Sequence, residues 1–200
     1  MRVWFAARTG RAVLMAVAAC AVGCSTTVSM LEIVDHRAPG VTRRYREHFE
    51  ESYYSFDQSG NVEIVLRRST TGRTDPSAAI QQTVHIRSLW QSIPGRTVAH
   101  RTQINATVVY SITRGHISQT FEGAGSVFYK LHGRTGELTG ALELATLRPT
   151  SQTSDSSSLF KQAELAGTFR ATHDPRRVLR IVNEMTRRAA QTTTASRRSG

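Results

Sequence analysis

The sequence predicts a mainly β domain: an antiparallel meander, drawn as a curled sheet or a lipocalin-like open barrel, packed with one C-terminal amphipathic α-helix, with α+β as the alternative class. Three observations lead there. Apolar and polar residues alternate through much of residues 61–171, the mark of strands with one buried face. Clusters of Gly, Pro, Ser, Asp and Asn interrupt that alternation at short intervals, as hairpin turns do. After Asp174-Pro175 the apolar spacing changes to that of a helix. Two hundred residues, 39% of them hydrophobic, suffice for one compact core, and no internal repeat divides them.

Taken in chain order, residues 28–52 are the hardest to read. The segment VSMLEIV suits an edge strand, and VTRRYREHFEESYY suits a short helix or a strand. Asp57-Gln58-Ser59-Gly60 predicts a hairpin between Tyr53–Phe56 and a strand whose Val62, Ile64 and Leu66 share a face. Val84, Ile86 and Trp90 form the apolar side of the next strand, ended by Ile93-Pro94-Gly95. Ala106, Val108, Tyr110 and Ile112 form another, up to a turn at residues 113–116. The strand from Ile117 to Leu131 contains Gly123 and Gly125, which predict a bulge or a bend. Leu138, Leu142 and Leu144 follow the turn at 132–136, and after Pro149 a polar loop runs through Thr150–Ser158. A last strand sets Leu159, Ala163, Leu165, Phe169 and Ala171 against polar neighbours.

The helix is expected over 174–190. Asp174 is a natural N-cap and Pro175 fits the first helical position. Val178, Ile181, Val182, Met185 and Ala189 fall on one face and Arg176, Arg180 and Arg187 on the opposite one, with Arg177, Glu184 and Arg188 on the flanks. The low-complexity tail 191–200 is expected to be disordered.

The N-terminus carries a different signal. Met1–Arg11 is basic, and Ala12–Val22 is an uncharged apolar run whose helix would reach only about 16 Å, half of a hydrocarbon core. That pattern is a secretory leader rather than a membrane span. The run ends in Ala21-Val22-Gly23-Cys24, followed by Ser25-Thr26-Thr27, which resembles the lipobox of bacterial lipoproteins, with Ala21 where the family favours Leu. Val17-Ala18-Ala19-Cys20 is an overlapping candidate with a shorter apolar run. The resemblance covers about the first 27 residues. It implies a signal peptide 1–23 and an acyl group such as palmitate on Cys24, and the patterning of the remaining chain gives a tether with a candidate edge strand over 24–44 ahead of a single β-rich domain over 45–190. The resemblance also implies a cell-envelope location, with Ser25 instead of Asp favouring the periplasmic side of the outer membrane. A mature chain starting at Cys24 would hold no free thiol and no disulfide.

The formal charge of +11 falls by three if Arg2, Arg8 and Arg11 leave with the leader. Outside the cytoplasm, anionic headgroups or cell-wall carboxylates are the expected partners of such a chain, and no nucleic acid is expected. An arginine face near a bilayer would gain about 1 kcal/mol per Arg close to the surface, which makes Arg176, Arg180 and Arg187 a candidate anionic-surface contact.

Catalytic signals are weak. His85, His100, His116 and His132 are evenly spaced, but His116 and His132 would bound one strand and lie about 50 Å apart at roughly 3.3 Å per residue. His100 and His132 fall at one sheet end, on strands about 10 Å apart, without a third ligand. Ser126 in Gly123-Ala124-Gly125-Ser126 lacks the spacing of a nucleophile elbow, and neither a P-loop nor a dinucleotide-binding glycine motif occurs. Asn105-Ala106-Thr107 matches a glycosylation sequon but falls within strand patterning. Trp90, Tyr110, Phe128, Tyr129 and Phe169 are expected to fill the core. No cofactor and no catalytic activity are expected. The leading expectation is a binding or structural module, with a carrier of an apolar small molecule and a secreted hydrolase as alternatives.

Overall fold

The computed structural model describes residues 28–38, 41–70, 79–91, 104–115, 117–152 and 162–198. Nine strands form one sheet: β1 (Ser29–Ala38), β2 (Val41–Phe49), β3 (Glu51–Phe56), β4 (Asn61–Thr70), β5 (Ile80–Gln91), β6 (Ala106–Arg114), β7 (Ile117–His132), β8 (Glu137–Gln152) and β9 (Ala163–His173). Among the described residues a single helix, α1 (Pro175–Arg198), follows. The expected antiparallel, mainly β fold with a C-terminal helix is what the chain adopts. From β3 to β8 each strand pairs with the next, and β8 also pairs with β9. Since β9 pairs with β3 through Tyr53–Thr172 and Tyr54–His173, strands β3 to β9 make a closed ring. It is not a regular barrel, because that last pairing is short and parallel, and β1 with β2 is attached outside the ring order.

Alternation sets what the ring encloses. Val62, Ile64 and Leu66 of β4 meet Val84 and Ile86 of β5, and these meet Val108 and Tyr110 of β6 in register. With Phe121, Val127, Leu138, Leu142, Leu147, Leu165 and Phe169 they form one buried cluster. Tyr110 and Phe121 stack in it with centroids 5.9 Å apart. Burying each such side chain contributes roughly 1.5–3 kcal/mol, the main force holding the ring together.

The hairpin at 57–60 forms as the sequence predicts. The Asp57 carboxylate accepts from the amides of Ser59 and Asn61 at 2.8 Å each, and Gly60 takes the positive φ of 78° that closes the turn. Asn105 owes its place to packing: its side chain spans the backbone of Val127, donating to the carbonyl at 2.9 Å and accepting from the amide at 2.7 Å.

Several expectations change. The ambiguous segment 41–49 is a strand, and it, not β1, is the edge, since β1 lies between β2 and β9. The glycine pair does not itself carry a bulge; register shifts fall on either side, at Thr120/Phe121 and Ser126/Val127. The glycines serve close approach, because a Cβ on Gly123 would sit 1.8 Å from the Thr146 carbonyl oxygen. Strand β8 continues past Pro149 to Gln152 through the first of those shifts, which accommodates a residue without an amide proton. A shift at Leu142/Ala145 turns Leu144 outward, so it leaves the face of Leu138 and Leu142. Helix α1 runs to Arg198, eight residues past 190, because no Gly or Pro stops it, and so takes in most of the tail expected to be disordered. Trp90 and Leu159 have no described side chains, and the segment 92–103 with its Ile93-Pro94-Gly95 lies outside the described residues.

One junction is decisive. β1 pairs with β9 over Ala163–Thr168 and β3 does so only at Thr172–His173. Between them the Ser29 hydroxyl takes the place of a strand, accepting from the Arg170 amide at 3.1 Å and donating to its carbonyl at 3.3 Å, with Ser52 Oγ at 2.8 Å. Ser29→Ala would strand a backbone amide and is expected to cost about 1–3 kcal/mol in urea unfolding. Gly123→Ala is expected to cost about 3 kcal/mol by the same measurement, as overpacking against backbone does. Gly133→Ala, with open space around its Cβ, should stay within about 0.5 kcal/mol of wild type.

Candidate functional site

Two outer surfaces and one buried polar end are the places where chemistry collects. The first surface is α1. Asp174 caps it, its carboxylate accepting from the Arg177 amide at 3.0 Å while its own amide donates to the Tyr54 carbonyl at 3.0 Å. Val178 and Ile181 are buried against Val65, the outward residue of β4, with Tyr53, Val182 and Met185 packed around them. The flanking polar residues tie the helix down. Arg177 lies 4.8 Å from the Tyr53 ring centre and bonds its hydroxyl, Glu184 pairs with Arg67, and Arg188 donates to Gln81 at 2.6 Å. The three predicted arginines Arg176, Arg180 and Arg187 are thereby left together on the exposed side, a stripe about 16 Å long at 1.5 Å per residue.

The second surface is the outer face of β1, β9, β8 and β7. Two adjoining grooves run along it. One, of about 630 Å3, is lined by Val28, Phe128, Lys130, Ala141, Thr168 and Arg170 among others. The other, of about 410 Å3, is lined by Met30, Glu32, Val34, Leu144, Glu164 and Ala166 among others. Val28 is 44% exposed, Met30 38% and Leu144 51%. Gly167, at φ 153°, makes the second groove tight: a Cβ there would meet the Met30 carbonyl oxygen at 2.2 Å. Ion pairs edge the face, from Glu32 to Arg44 at 2.8 Å and Arg46 at 3.4 Å, and from Arg170 to Glu137 at 2.7 Å. Sequence reasoning missed this face, since Met30, Leu144 and Phe128 come together only through strand pairing and the β8 bulge.

The buried polar end lies inside the ring. Asp35, Gln82 and Gln119 occupy inward positions of β1, β5 and β7, and Asp35 and Gln119 are fully buried. The Tyr110 hydroxyl donates to Gln82 at 3.2 Å, and Arg68 pairs with Glu47 across from β4 to β2. Burial pushes the Tyr110 hydroxyl up against a smaller opposite pull from Arg68. The sequence did hold a signal here: polar residues standing in the apolar register of their strands.

The histidines do not converge. His132 bonds Thr139 at 2.9 Å at one end of β7, and His116 at the other end lies outside the described residues, as does His100. The pair His100 and His132 is therefore not described. No group of three metal-binding side chains occurs among the described residues. Ser126 lies opposite the β8 bulge, in register with Leu144. His85 sits on the outer face of β5 opposite Val65, which α1 covers, with Nε2 at 4.0 Å from Glu63. Burial, then the charge of Arg87, lowers its pKa to about 4. Asp57 bonds Arg87, with 2.8 Å between them, and Arg87 and Asn61 hold its carboxyl far below the usual range.

No helix among the described residues is long and apolar enough to cross a membrane. No family model, no curated protein and no solved structure matches this chain.

The depressed His85 pKa has a measurable consequence. On acidification the unfolded chain takes up this proton first, so the residue's contribution is intact above about pH 6.5 and lost as pH falls toward 4. Between pH 7.5 and 4.5 that loss is expected to be about 2–3 kcal/mol. Glu63, whose carboxyl burial pushes up, acts in the opposite direction. Urea unfolding of wild type and His85→Gln at both pH values checks this, and the variant should show the smaller drop.

Proposed function

We propose that this chain is a lipid-anchored bacterial envelope protein, acylated at Cys24, whose β domain is a non-catalytic binding or structural module on the periplasmic side of the outer membrane. The observation that carries the reading is the order of residues 1–28: a basic segment, an apolar run too short to span a bilayer, Ala21-Val22-Gly23-Cys24, and then Val28 at the edge of the folded domain. The domain's own chemistry agrees with a module stabilised by packing, since its described core is aliphatic and aromatic and the chain's two cysteines, Cys20 and Cys24, both precede it. A carrier of an apolar molecule would need an enclosed cavity. The ring instead directs Tyr110, Phe121, Tyr129 and Phe169 inward into one packed cluster, so nothing among the described residues favours that reading.

Intact-mass measurement on detergent-extracted protein tests the anchor. The expected species begins at Cys24 with added acyl mass, Cys24→Ser accumulates as unprocessed precursor, and Cys20→Ser behaves as wild type. A product that retains residues 1–23, or starts elsewhere with a free amine, overturns the proposal.

A further inference from the structure

We infer that the bilayer is met by the apolar outer face of β1, β7, β8 and β9, and that the arginine stripe of α1 faces away from it. The inference rests on the anchor at Cys24 and adds the orientation of the domain. Its first support is reach. Only Ser25, Thr26 and Thr27 stand between Cys24 and Val28, and a fully extended chain spans at most about 14 Å over those four steps. The point where the chain enters the domain is therefore held against the lipid surface, and that point, Val28, is itself a wall of the larger groove.

The second support is the chemistry of the face. Val28, Met30 and Leu144 are exposed, and Val34, Phe128, Ala141 and Ala166 lie beside them on outward positions of the same strands. Apolar residues grouped this way on a sheet face mark a contact surface more often than scattered ones do. Its charges are largely matched, Glu32 with Arg44 and Arg46 and Arg170 with Glu137. Lys130 stands exposed at the groove rim. Contact through this face depends on apolar area and not on the charge of the lipid.

The third support is the position of the alternative. Helix α1 is fixed over β3 and β4 by Val65, Tyr53 and Arg67, and over β5 by Gln81. The helix also lies close to β7 and β8, but none of its residues lines either groove, and Arg180 and Arg187 stand on the side of α1 opposite Val178 and Ile181, facing away from β4. A short tether that seats Val28 on the bilayer leaves them facing the periplasm.

The test uses the full lipidated protein in vesicles of phosphatidylethanolamine and phosphatidylglycerol containing nitroxide-labelled lipid. Acylation occupies the Cys24 thiol, so Met30→Cys, Leu144→Cys and Arg187→Cys each offer one site for a fluorescent label. Labels at 30 and 144 are expected to be quenched several-fold more than the label at 187, with the same ratio in low and high salt. Equal quenching at all three, or salt-sensitive quenching greatest at 187, overturns the orientation. Shielding of position 144 only at high protein density, without quenching, makes a second copy the occupant and likewise overturns it. Intact mass of the same samples separates the two claims: with acyl mass present, a wrong quenching pattern removes the orientation alone, whereas its absence removes the anchor and the orientation together.

Discussion

Strand β9 has to serve three neighbours with two edges, and the rest of the structure depends on how it does so. One edge is given wholly to β8. The other is divided, with β1 antiparallel along the first half and β3 parallel at the end, and the Ser29 hydroxyl bridging the gap at Arg170. Without that hydroxyl a buried stretch of strand would lack partners for its amide and carbonyl, and such groups are almost always paired in folded proteins. The same junction fixes where the chain enters the domain and where it leaves for α1. It therefore sets both the point at which β1 begins and the strands that the helix covers.

The interior and the outer surfaces play separate parts. Inside, apolar side chains from every ring strand interlock, and polar residues at one end are paired across it, as in Tyr110 with Gln82 and Arg68 with Glu47. Outside, α1 seals β3 and β4 through Val178 and Ile181, while the grooves of the β7–β9 wall carry no covering element among the described residues. The asymmetry has a simple origin. Val65 is an outward β4 residue that only a covering element can bury, and the amphipathic helix supplies that element.

Much of this was legible in the sequence where the cause is local. The hairpin at Asp57–Gly60, the alternation of Val62–Leu66 and Ala106–Ile112, the cap at Asp174 and the two faces of α1 all follow from neighbours within a few residues. The edge and its neighbour were not separable, because arginines at 43, 44 and 46 hide the period of β2. Ring closure was not legible either, since β9 finds β1 well over a hundred residues away. Nor was the apolar groove: Leu144 reads as a partner of Leu142 until a bulge reverses it. Arg176, Arg180 and Arg187 were readable as a stripe because a helix needs only its own period to assemble one. What the stripe faces is a property of the whole ring.

Strand β2 leaves one edge of the sheet without a strand alongside it among the described residues. Unpaired strand edges invite copies of the same chain to add on and grow an aggregate. Here that edge carries Arg43, Arg44, Arg46 and His48, all exposed, so two such edges approaching each other bring like charges together. Side-by-side growth of that kind would need two such edges to meet, and the guanidinium groups act as a built-in guard that keeps the copies separate.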